Sequence, residues 1–455
     1  MKIIIIGAGP GGYETALLAA KRGVETVLIE AGPVGGTCLN EGCIPTKSFC
    51  KNAEYLEQLQ ESDIYGVGKL DFKFDFSKVS QRKNAVVQQL KTGVETLLKH
   101  KLITLVRGRA FFKDEHTVTV IPNDSQNESQ PQDYTADYII IATGSVSASL
   151  PIPGADLPGI LTSKEILDID HVPGRLCVIG GGVIGLEFAS IFRSFGSEVT
   201  VIEYCKDILP RFDTDLAKRL KQSLGKRGIE INTQSQVLSI AQNGDEYEVT
   251  FHRKGKEEKV LADKVLMAVG RRAALHSLNF SDVGVETHSK GVKVNEFMQT
   301  NIPHIYAIGD INGQMMLAHA ATFQGIVALD HIMAIPNEID LSVMPAAVFT
   351  SPEAASVGMT EDECKEKGIP VKCLKSFFRA NGKAVTMGET DGFCKLVVAA
   401  GDGRILGCHL YGPHASDIVQ EACALISRKA DLSQFQSIIH THPTLTEVLQ
   451  SAIHG

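Results

Sequence analysis

The stretch Ile3-Ile4-Ile5-Ile6-Gly7-Ala8-Gly9-Pro10-Gly11-Gly12 decides the fold of this chain. Four consecutive isoleucines read as a strand buried on both faces. The glycines after them read as a turn, and residues 13–22, rich in alanine and leucine, as a helix. A second strand, 26–29, ends in Glu30. Together these make a complete βαβ unit for a dinucleotide. Gly7 makes the tight turn, Gly9 lets a pyrophosphate approach the backbone, and Gly12 lets helix and strand pack closely. The helix start offers unpaired N–H groups and a positive dipole end to phosphate. Glu30 can accept hydrogen bonds from ribose hydroxyls.

The same pattern returns downstream. Residues 176–179 read as a strand, Gly180-Gly181-Gly182-Val183-Ile184-Gly185 as the turn, 185–195 as the helix and 199–202 as the second strand, closed by Glu203. Glu30 follows Gly7 by 23 positions (30 − 7), and Glu203 follows Gly180 by the same 23 (203 − 180). A single glycine-rich turn is a weak signal, whereas two complete units with equal spacing imply two dinucleotides. A carboxylate at Glu203 accepts from a free 2′-hydroxyl and repels a 2′-phosphate, which favours NAD(H) over NADP(H). Tyr204 and Cys205 follow it, and Lys206 is the one nearby cation.

Between and after these units the chain alternates. Residues 138–142 form a strand ending in Thr143-Gly144, and 265–269 one ending in Gly270-Arg271-Arg272. Pro151, Pro153 and Pro158 mark a linker. Residues 123–131 are polar and turn-rich, the pattern of a hairpin tip. The strand 305–308 ends in Gly309-Asp310, where open α/β sheets bind ligands, although an acid there also reads as a helix cap. Beyond about residue 340, alternating strands (392–399, 405–411) precede a helix (416–428) without a glycine fingerprint. That part reads as an α+β domain.

The chain of 455 residues has room for about three domains. Its net charge of −8 gives no basic footprint for nucleic acid, and no segment is long and apolar enough to span a bilayer. The short apolar run at the N-terminus reads as a strand rather than a signal peptide, so a cytoplasmic location is expected. Eight of the ten cysteines are scattered, as buried thiols usually are, and their spacing suggests no metal site.

The other two are Cys38 and Cys43, in Cys-Leu-Asn-Glu-Gly-Cys. Four intervening residues keep the sulfurs close, and Gly35, Gly36 and Gly42 permit a close backbone approach to a bound ring. Pro45 restricts the chain after Cys43. Buried free thiols or a zinc half-site would share the spacing, but the position just after a dinucleotide unit favours a redox pair. Exchange needs a thiolate, hence a lowered pKa or a nearby base. The segment His440-Thr441-His442-Pro443-Thr444-Leu445-Thr446-Glu447 offers a histidine and a carboxylate to hold it. Two histidines two apart could also be metal ligands on one face of a strand.

Read together, Gly35 to Ser48, Thr143-Gly144, Gly180 to Gly185, Gly270-Arg271, Ile308-Gly309-Asp310 and His442-Pro443-Thr444 resemble, in order and along essentially the whole chain, the FAD-dependent pyridine nucleotide–disulfide oxidoreductases. The stretch from Met344 to Thr360 and the ending His442 to Glu447 resemble the dihydrolipoamide-oxidising members. The resemblance implies an α/β fold of two Rossmann-like dinucleotide-binding domains, for FAD and NAD, plus a C-terminal α+β dimerisation domain. The expected segments are 1–148 and 271–340 for FAD, 149–270 for NAD and 341–455 for the interface. It places FAD with Gly7, Gly9, Gly12, Glu30, Lys47, Ala110, Thr143, Gly144, Asp310 and Ala318. It places NAD with Gly180, Gly182, Gly185, Glu203, Val237 and Gly270.

By the same resemblance Cys38 is the exchange thiol that meets substrate and Cys43 faces the flavin. His442, held by Glu447, is the base, supplied by the other subunit of a homodimer. Lys47 and Glu187 pair near the reactive flavin edge, though Lys47 reads equally as a solvated helix residue. The implied partners are lipoyl domains of 2-oxoacid dehydrogenase or glycine cleavage complexes. Ser351, Arg272-Ala273-Ala274 and residues 320–324 depart from the usual pattern without touching the implied chemistry. A reductase of glutathione-like or other small disulfides is the rival; it would want NADPH and cationic substrate contacts, and Glu203 opposes the first. A flavoprotein with inert cysteines is a rival of another kind.

Overall fold

A computed structural model describes residues 1–123 and 130–454. Most of the expected hairpin tip therefore lies outside the described residues. The chain forms two compact units: Met1–Ser48, Lys78–Ala148 and Gly270–Leu341 make the first, and Phe49–Ser77, Ser149–Val269 and Ser342–Gly455 the second.

In the first unit, β1 (Lys2–Ile6), β2 (Glu25–Glu30), β3 (Ile103–Phe112), β4 (Thr117–Pro122), β5 (Gln132–Thr135) and β6 (Tyr138–Ile141) join the strand Ile305–Ala307 in one seven-stranded sheet. β1 is central, with β2 and β6 parallel on either side, and Ile3 pairs with both Thr26 and Tyr138. That position explains the isoleucine run: Ile3, Ile4 and Ile5 are fully buried because both sheet faces are covered. One face packs Ile4 and Ile139 against Val118 and Val292. The other packs Ile3 and Ile5 against Ala16 and Ala19 of α1 (Pro10–Lys21) and Leu329 of the helix Ala318–Ile332. α1 starts earlier than its alanines suggest, since proline suits the first helical turn. A short strand β7 (Ser145–Ser147) pairs antiparallel with Arg271–Ala273.

The second unit repeats the motif. β8 (Ile160–Leu161), β9 (Arg175–Ile179), β10 (Glu198–Ile202) and β11 (Ile229–Asn232) form with the strand Lys264–Met267 a parallel sheet, in which β9 lies between β10 and Lys264–Met267. The same unit holds an antiparallel five-stranded sheet from the C-terminal part, including Glu353–Gly358, Phe393–Ala399 and Ile405–Gly412. The helices Ala415–Ser427 and Glu447–His454 supply Val419 and Leu449 to its core. An ion cluster joins this sheet to the helix Thr214–Lys226. Lys395, on Phe393–Ala399, is 2% exposed and reaches Asp213 at 2.9 Å, Asp215 at 3.0 Å and Glu361 at 2.6 Å. Asp213 caps the helix Thr214–Lys226 that precedes β11. Segment 49–77, read in the sequence with the first domain, counts with this second unit: Glu57 pairs with Arg227 and accepts from Ser351 Oγ at 2.9 Å. Among the described residues no helix is long and apolar enough to cross a membrane.

Candidate active site and its dinucleotide cradles

The two glycine turns have the same construction. Gly7 has φ +104° and a Cβ there would lie 2.4 Å from Ala142 O; Gly180 has φ +113° and would meet Ala268 O at 2.4 Å. A Cβ on Gly12 would lie 1.8 Å from Gly7 O, and one on Gly185 would lie 2.0 Å from Gly180 O. Only glycine fits at these four positions, for turning and for close helix–strand approach. Gly182 has open space around its Cβ direction, the approach a phosphate needs. The acids match as well. Glu30 accepts from Ala8 N and Gly32 N, both at 2.6 Å; Glu203 accepts from Gly181 N at 2.5 Å and Cys205 N at 2.6 Å. Each carboxylate is thus held at the rim of its own turn, with lone pairs left for ribose hydroxyls. Burial, then its contact with Glu203, pushes the Cys205 thiol up.

The cysteine pair sits directly against the first turn. Gly35 N donates to Ala8 O at 2.8 Å, and a Cβ on Gly36 would lie 2.6 Å from Gly9 Cα. Gly36 opens α2 (Gly36–Glu41), which carries Cys38; Cys43 opens α3 (Cys43–Gln60). Gly42 makes the break between the helices, and Pro45 falls in the first turn of α3, where a missing N–H costs nothing. No disulfide joins the two cysteines here, and their side chains are hydrogen-bonded to each other. That bond, with burial, pushes the Cys38 thiol well up, against the opposing pull of the Lys47 ammonium.

In the second unit, His442 Nδ1 meets Glu447 Oε1 at 2.8 Å, while Thr444 N donates to Glu447 Oε2 at 2.8 Å. The Thr444 amide and then His442 hold the Glu447 carboxyl below its usual range. The imidazole is fixed at one nitrogen and 78% exposed, which frees Nε2 for a substrate. His440 is different: its Nε2 meets Glu421 at 2.9 Å and it is 5% exposed. The two histidines are not a metal pair on a strand, and no group of three or more metal-ligating side chains occurs among the described residues.

The remaining expected residues divide. Asp310 lies inside the turn Gly309–Asn312, behind the cap position Ile308, so it is not the helix cap; Ser145 Oγ donates to it at 2.5 Å. Gly144 (φ +71°) and Gly270 (φ +110°) have open space at their Cβ positions. Ala318 opens its helix, whereas Ala110 and Val237 are packed in the apolar cores. Glu187, 3% exposed on the helix Val183–Ser194, accepts from Phe349 N at 3.0 Å. Sequence reasoning missed Ser145 and the Thr444 amide; the first stands beside Thr143-Gly144 but its partner Arg271 is 126 residues away.

Residues 1–325 match the family model for pyridine nucleotide-disulphide oxidoreductases, and residues 344–453 match that family's dimerisation domain. The chain belongs to the pyridine nucleotide-disulphide oxidoreductase family. It is 40% identical over 448 residues to the dihydrolipoyl dehydrogenase of Chlamydia muridarum, covering 98% of this chain and 94% of the relative. A dihydrolipoyl dehydrogenase of Bacillus subtilis is 37% identical, covering 99% and 96%. Among solved structures, the HOCl-induced flavoprotein disulfide reductase RclA from Escherichia coli is 28% identical with TM-score 0.88, covering 100% of this chain and 99% of that one. LpdA from Mycobacterium tuberculosis, 24% identical with TM-score 0.92 and covering 100% and 99%, shares the fold. The dimerisation domain marks the chain as one half of a homodimer. The family cofactors are FAD and NAD. The residues fit them: two glycine cradles each carry a rim carboxylate, and beside the first, Thr143 Oγ1 is buried with no hydrogen-bond partner among the described residues.

Proposed function

We propose that this chain is a dihydrolipoyl dehydrogenase. It oxidises dihydrolipoamide carried on a lipoyl domain of a 2-oxoacid dehydrogenase or glycine cleavage complex and reduces NAD⁺ to NADH. The carrying observation is the hydrogen-bonded Cys38–Cys43 pair set on a dinucleotide turn, in a chain aligned nearly end to end with relatives of that name. FAD held at the first turn, around Gly7, Gly9, Gly12, Glu30, Thr143 and Asp310, supplies the two-electron relay from the dithiol to NAD⁺.

The residues divide the work as follows. With the pair oxidised, His442 takes a proton from one substrate thiol, oriented for it by Glu447. The resulting thiolate attacks Cys38, which breaks the Cys38–Cys43 bond and releases Cys43 as thiolate. The second substrate sulfur displaces Cys38, closing the lipoamide disulfide, and Cys38 takes up the proton. The end state carries the proton on Cys38 and the charge on Cys43, in keeping with the upward push that the neighbouring sulfur and burial exert on the Cys38 thiol. Glu203 selects NAD by accepting its ribose hydroxyls in the second cradle.

Cys43→Ser should keep FAD yet lower turnover by at least about a thousandfold, since no second sulfur remains to leave. Undiminished turnover sinks the scheme. One observation favours a second reading: RclA, a disulfide reductase, aligns over the whole chain. A direct assay of dihydrolipoamide with NAD⁺ against oxidised glutathione with NADPH decides between them, and preference for the second pair reverses the ranking.

A further inference from the structure

Asp310 is half-buried just beyond the strand Ile305–Ala307, and its partial burial pushes its carboxyl up, toward the neutral form. A protonated acid there would present a donor rather than an acceptor. Two residues outside the glycine turns oppose this. Arg271 Nε donates to Ser145 Oγ at 2.7 Å, and Arg271 Nη2 donates to Ser145 O at 2.8 Å. A guanidinium has no acceptor, so the hydroxyl oxygen must accept from it. The single Ser145 proton is then committed to Asp310 Oδ2, 2.5 Å away. The antiparallel ladder that pairs Ser145 with Ala273 and Ser147 with Arg271 fixes this geometry. The elements packed on the Asp310 turn also carry Arg272, His319, Asp330 and His331; of their charges, that of Arg271 is the one that acts on Asp310, favouring the carboxylate.

We propose that Ser145 and Arg271 are positioning residues which lock Asp310 as a hydrogen-bond acceptor, with Oδ1 left to receive hydroxyl groups of the bound flavin dinucleotide. The proposal rests on the reading that the first unit holds FAD. Arg271 orients Ser145, Ser145 orients Asp310, and neither need touch the ligand. The adjacent Thr143 Oγ1, buried and unpartnered among the described residues, extends the same polar edge.

The test is FAD retention, measured by flavin fluorescence after equilibrium dialysis across pH, on the wild type, Ser145→Ala, Ser145→Thr and Arg271→Lys. A wild type that binds no FAD overturns the underlying reading and is visible before any variant is compared. With FAD bound, Ser145→Ala should weaken its affinity by about tenfold or more, the effect of losing a hydrogen bond to a charged group. Its acid limb of FAD loss should move to higher pH, because Asp310 loses a donor that favours its ionised form. Ser145→Thr, which keeps the hydroxyl, should restore both. Arg271→Lys should shift the limb in the same direction as Ser145→Ala, and it carries the test if Ser145→Ala does not fold. An unmoved acid limb in Ser145→Ala and Arg271→Lys, or a threonine variant as defective as the alanine, overturns the proposal.

Discussion

At the scale of single residues, the most constrained charge outside the redox site is Lys395. Burial pulls its ammonium down, but Glu361 and Asp213 outweigh it and the net shift is upward. Lys375, and after it Lys395, hold the Asp215 carboxyl at about 2, below its ordinary 3.8. The signs follow from linkage. The Asp215 contribution is complete above pH 3.8 and is lost as pH falls toward 2, while that of Lys395 is complete below the ordinary lysine range and is lost as pH rises beyond it. Lys395→Met would leave Asp213, which is 1% exposed, without its cation. Removing one member of a buried ion pair costs roughly 3–5 kcal/mol. Urea unfolding at neutral pH should show that loss, and a shift below about 1 kcal/mol would mean that water or another cation takes over. In catalysis, His442→Gln should lower turnover by roughly 10²–10⁴-fold, the usual worth of a general base. A smaller loss, measured with dihydrolipoamide, would remove His442 from the proposed scheme.

Elements carry the next level of argument, because the two glycine turns are the same device used twice. Gly185→Ala pushes a methyl into Gly180 O, so the second cradle must open; Gly12→Ala does the same in the first. Gly185→Ala should therefore abolish NADH binding, read by fluorescence titration, while the purified protein keeps its flavin. Gly12→Ala should lose the flavin or fail to fold. Flavin loss in Gly185→Ala would show that the two cradles are not independent. These turns were legible in the sequence because their signal is local: glycines at fixed offsets, an apolar strand before them and an acid 23 positions on. Helix and strand ends shifted by only a few residues, as α1 did at Pro10. The Ser145–Arg271–Asp310 chain was not legible, since its side-chain hydrogen bonds join residues 126 and 165 positions apart that only the folded chain brings together. Neither was the Lys395 cluster, whose members lie on one strand and at the starts of two helices. Glu187 was readable as a charged residue, but not its bond to the Phe349 amide.

For the whole molecule, the sequence shows two dinucleotide units and a third region of different character; in the structure that third region and segment 49–77 count with the second parallel sheet in one compact unit, within which Lys395 pairs with Asp213 and Glu57 with Arg227. The cysteine pair belongs to the first unit and the His442–Glu447 pair to the second. The dimerisation domain gives each working molecule two copies of both. Whether a base serves the cysteines of its own chain or of its partner is decided by complementation. Cys43→Ser and His442→Gln chains, each nearly inactive alone, are co-expressed with different tags and the mixed dimer is isolated. If His442 acts across the interface, one site combines both altered residues and the other combines two intact ones, so the mixed dimer should recover about half of wild-type turnover. An unfractionated mixture, in which half the dimers are mixed, should recover about one quarter. If the base acts within its own chain, every site in the mixed dimer keeps one altered residue and turnover stays near the level of the parents. Recovery is therefore expected only from a homodimer whose active sites are each completed by the partner subunit.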